Sequence, residues 1–523
     1  MTTIVEPPRS DLERNTPRIW NASGLGSRSL PTSKRRTRGR NFRNARANIS
    51  HLGDRELVDS VFSDRSIQLP RIVRLKGLQS FDSKASNRST GSATLGRVMP
   101  DHIERRVTEV VVDRMADVPV VALQGPRSVG KSTVMNQIAR QHGATVINLD
   151  LPDVRDAVKA DPQRAIRQPG TVFIDEYQRL PDLLDVIKAE VDAEFRPGKF
   201  VLTGSTRFDA LPRSTQTLTG RIHFVSIWPF SQGELAGTRE TFLDVAVTEP
   251  ERIPTGLGAG SSYEDYAERI CAGGMPVAIR SSRGRNRWFD DYATSALQRD
   301  VAAISSLRRG TELPTLFARL AGQTAQPLNI TAAANDVDIQ VSTASSYVTL
   351  LENLFLIHRL PAWGRNLRSR ATAHPKVHVV DSGLAARLLR ITPERLTRRD
   401  PAALTEFGHL LETFVVGELL KQASWSDNVT ALGHWRTHDG QEVDLVIERD
   451  DGVVTGFEVK TARKIDRKAA SGLIALRDAL GDQFNAGYIL TTGDTSYRYD
   501  DRIYVCPVDQ LWQTNRTTTA SEK

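Results

Sequence analysis

Short apolar runs alternate with helical patterns between residues 99 and 221. The runs are rich in β-branched and aromatic residues and cover 118–123, 145–149, 171–174 and 200–203. An amphipathic segment at 103–115 precedes the first run, and a helical pattern that reaches residue 140 follows the loop after it. Strands that alternate with helices pair in parallel and pack between helices. The pattern therefore predicts an α/β core built on a parallel sheet.

The pattern changes after Arg221. Residues 237–262 are rich in Gly, Pro and Thr and predict a loop or an insertion, whereas helical patterns dominate 263–360. Later, a strong helix at 410–422 is followed by apolar runs typical of strands at 443–448 and 453–459. We therefore predict a multidomain chain whose parts cover residues 99–235, 236–400 and 401–515, with a tail at 516–523.

Residues 1–98 lack such periodicity. Ser, Arg, Asn, Thr and Gly dominate them, and a segment of this kind cannot bury enough apolar surface to offset its ordering entropy. The first hundred residues hold 19 Lys and Arg against 8 Asp and Glu, a net of +11, which leaves −3 for the rest of the +8 chain. We predict a disordered basic extension. It is either dispensable or a tether to nucleic-acid phosphates.

The remaining composition excludes several classes of protein. Charged residues interrupt every apolar stretch, so we expect no membrane helix, and the N-terminus lacks the apolar core of a signal peptide. Cys271 and Cys506 are far apart and have no Cys or His neighbours at metal-ligand spacing. We therefore expect a cytoplasmic protein without a zinc site or a disulfide framework.

Residues 125–132 read Gly-Pro-Arg-Ser-Val-Gly-Lys-Ser, the pattern of a phosphate-binding loop between a strand and a helix. Glycines let backbone N–H groups curl around phosphates, and the helix that follows points its positive end at them. The lysine reaches the β- and γ-phosphates, and the serine hydroxyl ligates magnesium. We predict binding of ATP with Mg²⁺ at Gly125, Gly130, Lys131, Ser132 and Thr133.

A second element supports the first. The apolar run at 171–174 ends in Asp175 and Glu176; the aspartate is expected to hold magnesium and the glutamate to orient the attacking water. After the next run, Thr203 and Ser205 are candidates for sensing the γ-phosphate. Arg221, or else Arg207, is the candidate for stabilising the transition-state charge. The glycine-rich motif or the acidic motif could each be structural if it occurred alone. Their order and separation together favour an ATPase.

The sequence resembles a known family at several motifs. Its runs are Phe-Ile-Asp-Glu-Tyr-Gln-Arg-Leu-Pro at 173–181, Leu-Thr-Gly-Ser at 202–205, Leu-Thr-Gly-Arg at 218–221, Gly-Gly-Met-Pro at 273–276, Lys-Val at 376–377, Asp-Ser-Gly-Leu at 381–384, Glu-Val-Asp at 442–444 and Glu-Val-Lys at 458–460. These are similar to prokaryotic AAA-type ATP-binding proteins with a C-terminal domain of unknown function. The resemblance covers about residues 99–515 and implies a P-loop ATPase core, a helical winged-helix-like middle and an α/β nuclease-like end. Relatives begin near Met99, so translation could start at Met1 or at Met99.

Residues 329–354 predict two helices around a break at 338–340, with Ser342 as N-cap. Ala344, Val348, Leu351 and Leu354 form one apolar stripe. The outward side chains would be Thr343, Ser345, Ser346 and Thr349, and Arg365, Arg368 and Arg370 could follow in a wing. Such a unit could place the second helix in a DNA groove, or it could pack against protein alone.

The last part carries a possible metal site. Glu412 lies on a predicted helix, Asp444 on a strand, and Glu458 with Lys460 on one face of the next strand. The arrangement resembles the PD-(D/E)XK nuclease superfamily, in which carboxylates hold magnesium and a lysine activates water. Many domains of this shape bind nucleic acid or partners without cutting.

Three functions fit these features. The first is an ATPase whose nucleotide state controls a DNA-binding half that could also cleave DNA. The second is a slow ATPase switch with an inactive nuclease-like domain that binds a protein or a promoter. The third is a translocating motor, which is least favoured because no strand-separating motifs accompany the ATP site. The oligomeric state is open.

Overall fold

The computed structural model describes residues 103–208, 218–253, 255–257, 260–300, 312–364 and 374–513. The predicted basic extension, the tail and the three wing arginines lie outside the described residues. Within these ranges, no helix combines the length and apolar character needed to cross a bilayer.

The first part of the fold is a parallel sheet between helices. Its elements are α1 (Val107–Asp117), β1 (Val120–Gln124), α2 (Lys131–Gln141), β2 (Val146–Asn148), α3 (Pro152–Ala160), α4 (Pro162–Ile166), β3 (Val172–Asp175), α5 (Leu183–Ala193), β4 (Phe200–Gly204), β5 (Ile222–Ser226), α6 (Gln232–Ala236) and α7 (Phe242–Thr248). In the described residues the strands pair in parallel in the order β2-β3-β4-β1-β5. β1, β3 and β4 are buried along most of their length, as expected of central parallel strands. The predicted α/β core is confirmed.

Strand β5, at one edge of the sheet, was not predicted. Its burial is irregular: His223 and Phe224 are exposed while Val225 is buried, so no continuous apolar run marks the strand. It pairs with β1 in a register that places Ile222 opposite Val120 and Ser226 opposite Gln124.

The middle part is mainly helical, as predicted. Its elements are β6 (Gly256–Leu257), α8 (Tyr263–Ala272), α9 (Pro276–Arg280), α10 (Arg285–Ser295), a π-helical turn (Ala296–Asp300), α11 (Glu312–Ala321), β7 (Gln326–Pro327), α12 (Ile330–Val337), α13 (Val341–Asn353), β8 (Ile357–Leu360), β9 (Lys376–Val379), α14 (Ser382–Leu388) and α15 (Pro393–Leu396). The short strands β7, β9 and β8 form an antiparallel sheet in that order.

The loop prediction for 237–262 is wrong in part. Helix α7 and strand β6 lie there. Phe242 and Leu243 are buried, and the ring of Phe242 contacts that of Tyr488 edge-on, with centroids 5.8 Å apart. Gly and Pro flank this short helix and favoured a loop prediction. Its apolar face is recognised only together with the surface against which it packs.

The last part is a mixed sheet flanked by a long helix. Its elements are α16 (Pro401–Ala423), β10 (Ala431–Arg436), β11 (Glu442–Glu448), β12 (Val454–Lys460), α17 (Ser471–Leu480), β13 (Phe484–Thr491), β14 (Thr495–Asp500) and β15 (Ile503–Pro507). Among the described strands the order is β10-β11-β12-β13-β15-β14-β6, and β12, β13 and β15 are parallel at its centre. The helix and both strands expected here are present.

One apolar core continues across the middle and last parts. It includes Phe242, Leu316, Leu351, Phe407 and Trp512, all buried. The predicted boundary near residue 400 therefore falls within a shared core.

Candidate functional site

The loop between β1 and α2 has the backbone of a phosphate cradle. Gly125, Ser128 and Gly130 have φ of 153°, 62° and 101°. A Cβ on Gly125 would lie 2.2 Å from the carbonyl oxygen of Ile227, so only glycine fits there. Positive φ values in such a loop turn successive N–H groups into one concave surface, and α2 begins directly after it. This surface suits an anion such as a phosphate.

Lys131 crosses the inside of the loop. Its Nζ donates to the carbonyl oxygens of Gly125 at 3.0 Å and Pro126 at 2.9 Å, and the residue is 3% exposed. Ser132 and Thr133 follow in the first turn of α2, where Thr133 is exposed. The loop therefore holds a positive charge at its centre before any ligand is considered.

Asp175 ends β3 beside this loop. The Ser132 hydroxyl donates to Asp175 Oδ1 at 3.1 Å, and Thr203 Oγ1 donates to the same oxygen. The set consists of hydroxyl and carboxylate oxygens, which are the ligands that magnesium prefers. The residues present thus fit a magnesium ion, which Ser132 and Asp175 would hold.

Glu176 is part of the same network. It has φ of 59°, and its N–H donates to Thr203 Oγ1 at 3.2 Å. The side-chain amide of Gln178 donates to the Glu176 carboxylate and, at 3.1 Å, to Ser205 Oγ. Burial raises the pKa of Glu176 above its usual range, opposed by the nearby Lys131 ammonium. The structure brings the predicted acidic and hydroxyl residues together and adds Gln178, which was not predicted as a site residue.

Neither candidate arginine faces the loop in its own chain. Arg221 precedes β5 and so lies at the amino end of the sheet, whereas the phosphate loop follows the carboxyl end of β1. Its guanidinium pairs with Asp192 at 2.6 Å. Arg207 is at the correct end, but its guanidinium lies 3.7 Å from Glu352 and over the ring of Phe355.

Arg105, a buried arginine that was not predicted from the sequence, supports the phosphate loop. Arg105 donates to the carbonyl oxygens of Val129 at 2.9 Å and Trp228 at 2.6 Å, and its Nε lies 3.1 Å from Glu234 Oε1. Arg105 is 7% exposed and the Glu234 side chain 1% exposed. No sequence signal marks it, because a single arginine before a helix is common.

A second cluster lies between α16, β11 and β12. It contains Glu412, Asp444, Glu458 and Lys460, as the sequence predicted, since Glu412 and Asp444 share one partner and Lys460 pairs with Glu458. The backbone N–H of Val459 donates to Asp444 Oδ2 at 2.9 Å. Glu458 Oε2 is buried and has no hydrogen-bond partner among the described residues.

The shared partner is Lys376 on β9, which the sequence analysis did not place in this site. Its Nζ lies 2.7 Å from Glu412 Oε1, 2.6 Å from Glu442 Oε1 and 2.8 Å from Asp444 Oδ1. The side chain is 2% exposed. A lysine in a chain with 70 Lys and Arg carries no signal of its own, and only the tertiary fold brings β9 here.

The cluster is electrostatically strained. Burial, with repulsion from Asp444, raises the pKa of Glu458 to about 8. Burial likewise raises the pKa of Glu412 well above its usual range. Burial would raise the pKa of Asp444, but Lys376 and Lys460 hold it below its usual range. Burial would lower the pKa of Lys376, but Asp444, Glu412 and Glu442 raise it well above its usual range.

The helix pair α12–α13 has the predicted break. Asp338 ends α12 with φ of 57°, but α13 begins at Val341 after Gln340, so Ser342 lies inside the helix and is not its N-cap. The predicted apolar stripe is buried. The outward hydroxyl residues Ser345, Ser346 and Thr349 are exposed, and Thr343 is partly so.

Three family models match parts of the chain. Residues 117–236 match an AAA domain, residues 263–395 a domain of unknown function (DUF8612), and residues 407–511 another domain of unknown function (DUF4143). The loop, the strand order and the AAA match together define residues 117–236 as an AAA-type P-loop ATPase domain.

Relatives of known sequence extend over most of the chain. An uncharacterized protein of Mycobacterium bovis and one of Mycobacterium tuberculosis are each 29% identical over 430 residues, which is 81% of this chain and 88% of theirs. Among solved structures, a Walker-type ATPase of Pyrococcus abyssi is 15% identical with a TM-score of 0.33, covering 55% of this chain and 96% of its own. AMPPCP-bound DnaA from Aquifex aeolicus is 13% identical with a TM-score of 0.24, covering 50% and 91%. At these TM-scores the likeness carries no functional information.

Proposed function

We propose that the protein is a Mg²⁺-dependent ATPase that acts as a switch in the cytoplasm, with its nucleotide state controlling a DNA-binding, winged-helix-like unit. The observation that carries this proposal is the contact of Arg207 with the end of α13. It connects the strand that ends beside the catalytic carboxylates to the helix that would enter DNA.

The P-loop residues have distinct roles in hydrolysis. Lys131 would leave the loop carbonyls to bind the β- and γ-phosphates, and Ser132 with Asp175 would hold magnesium. Magnesium would neutralise the phosphate charge. Glu176, held by Gln178, would orient the attacking water, and Thr203 would keep the Asp175 carboxylate and the Glu176 backbone in place. Because neither candidate arginine, Arg207 or Arg221, faces the loop of its own chain, we expect slow turnover by one copy alone.

The route to α13 is short. Ser205 contacts the amide of Gln178, which binds Glu176, and two residues later the N–H of Arg207 donates to the carbonyl oxygen of Asn353 at 3.0 Å. The Arg207 guanidinium lies 3.7 Å from Glu352 Oε1, and Arg359 also binds this carboxylate. A shift at the γ-phosphate that moves Ser205 would therefore move the carboxyl end of α13.

The order of elements supports a winged-helix-like unit. α11, β7, α12, α13, β8 and β9 follow in sequence, and the strands pair as β7-β9-β8. The exposed face of α13 carries small hydroxyl side chains, which suit close approach to a groove. The wing predicted at Arg365, Arg368 and Arg370 lies outside the described residues.

DNA contact is tested by one charge on α13. Thr349→Glu places a carboxylate on its exposed face and should weaken DNA affinity about tenfold, which corresponds to about 1.4 kcal/mol. Thr405→Glu is the control, because Thr405 is an exposed threonine on α16. Fluorescence anisotropy with labelled duplex DNA measures both. Equal affinities would refute DNA contact by α13.

Control by nucleotide is tested at Glu352. Glu352→Gln should keep ATP turnover while DNA affinity becomes the same with ADP and with a non-hydrolysable ATP analogue. Glu264→Gln is the control, since its exposed pair with Arg399 at 3.2 Å lies away from α13. A Glu352→Gln protein that responds to nucleotide as wild type does would refute the coupling. Absence of DNA binding in every state would favour a protein partner instead.

DNA cleavage by the carboxylate cluster is the second candidate. Its support is the order α16-β10-β11-β12-α17-β13 with Asp444, Glu458 and Lys460 on neighbouring strands, similar to the PD-(D/E)XK pattern. Any cleavage should require a divalent metal and vanish in Asp444→Ala, Glu458→Ala and Lys460→Ala. Cleavage that persists in all three variants would belong to another site.

A further inference from the structure

The position of Lys376 determines what the carboxylate cluster can bind. We propose that its ammonium is the built-in cation of this cluster, which therefore takes no divalent metal ion and cleaves no nucleic acid in the native chain. This inference excludes the second candidate above, DNA cleavage by the same cluster, and it is independent of the ATPase.

The Lys376 ammonium lies among the carboxylate oxygens that a metal ion would need. The Lys376 ammonium donates to Glu412 Oε1 and Asp444 Oδ1 and forms an ion pair with Glu442 Oε1, at 2.6–2.8 Å from the three oxygens. A divalent ion would need these same oxygens at about 2.0–2.6 Å. The nitrogen therefore lies where a shared metal would lie. Within the described ranges, no group of three or more His, Cys, Asp or Glu side chains is arranged to hold a metal ion.

The lysine is held in this position by its backbone. Lys376 is on β9, where it lies opposite Leu360 on β8 and Pro327 on β7. The chain after β8 is joined to the last sheet, because the N–H of Trp363 donates to the carbonyl oxygen of His434 at 2.7 Å. Moving the ammonium away would leave buried carboxylates unpaired.

The cluster contains a second lysine and joins two parts of the chain. Lys460 pairs with Glu458, so two lysines face four carboxyl groups. Lys376 comes from the winged-helix-like unit and the carboxylates come from the last part of the chain. The ion-pair cluster therefore joins the two parts in the position where a metal would otherwise lie.

Binding of Mn²⁺ to the full-length, nucleotide-free chain tests the proposal. Electron paramagnetic resonance counts bound ions, and thermal unfolding with and without Mn²⁺ reports stabilisation. Wild type should bind no Mn²⁺ at the cluster. Lys376→Met, of similar length but uncharged, should lose stability and regain it with Mn²⁺. Its Mn²⁺ affinity should rise about tenfold or more, since even outer-shell changes alter metal affinity by about 10–100-fold.

A matched control is Lys421→Met. Lys421 is also buried and paired with a glutamate on α16, at 2.6 Å from Glu418, but outside the cluster. It should lose stability without regaining it with Mn²⁺. The double variant Lys376→Met with Glu458→Gln should lose the Mn²⁺ gained by the single variant.

Two results would overturn the proposal. One is a Mn²⁺ ion bound by wild type and lost in Glu458→Gln. The other is a folded Lys376→Met protein that binds no more Mn²⁺ than wild type. If Lys376→Met does not fold, the wild-type measurement decides alone. Neither nucleotide nor DNA enters the assay, so failure here is distinct from failure of the ATP-dependent switch.

Discussion

Replacing Arg105 with methionine should destabilise the ATPase domain and weaken its phosphate loop. The change leaves the buried Glu234 carboxylate without its cation and the carbonyls of Val129 and Trp228 without a donor. Breaking a buried ion pair from one side costs about 3–5 kcal/mol. We expect a cost at the lower end of this range, because Glu234 keeps hydrogen bonds from the backbone N–H groups of Arg106 at 2.9 Å and Ser231 at 3.1 Å.

A loss of about 3 kcal/mol corresponds to a fall in the melting temperature of roughly 6–12 °C for a domain of about 150 residues. Differential scanning calorimetry measures this, and nucleotide titration measures the affinity for ATP, which should also fall. Arg252→Met is the control. Its pair with Glu249 at 3.0 Å is exposed and should contribute less than about 1 kcal/mol.

Two outcomes would refute the reasoning on Arg105. Equal melting temperatures of the two variants would mean that the buried pair does not stabilise the domain. A loss of ATP affinity with no loss of melting temperature would mean that Arg105 contacts the nucleotide and does not support the loop.

The remaining predictions concern the nucleotide site and the basic extension. Lys131→Ala should abolish ATP binding or turnover with the fold intact, measured by nucleotide titration and circular dichroism; wild-type turnover would refute the assignment. Glu176→Gln should keep ATP affinity and lose hydrolysis, and loss of affinity as well would point to a structural role. Because burial raises the pKa of Glu176 and only the ionised carboxylate orients water, turnover should decline toward acid at a pH above the ordinary 4.5. A wild-type profile without this decline would contradict the role. A chain that begins at Met99 should retain full ATP turnover, and failure of that chain to fold would contradict the prediction of a disordered extension.

The nucleotide site was largely predictable because its chemistry is local. A phosphate loop needs glycines and a lysine at fixed spacing, and Asp175 with Glu176 ends an apolar strand. The carboxyl ends of parallel strands meet at one sheet edge, so the sequence order alone predicts that these groups lie close together. By the same rule Arg221, which precedes the unrecognised edge strand β5, lies at the other end of the sheet.

The sequence by itself determined the α/β class, the buried strands, the phosphate loop and the two-helix unit, because each rests on periodicity or spacing within a short segment. Only the tertiary structure decided the partners of Lys376, Arg105 and Arg207. Each makes its contact with residues distant in the chain, and the free energy of burying its charge depends on that partner and not on its neighbours in sequence. A single core across the middle and last parts was likewise decided by packing, since apolar side chains in sequence do not reveal which surface will cover them.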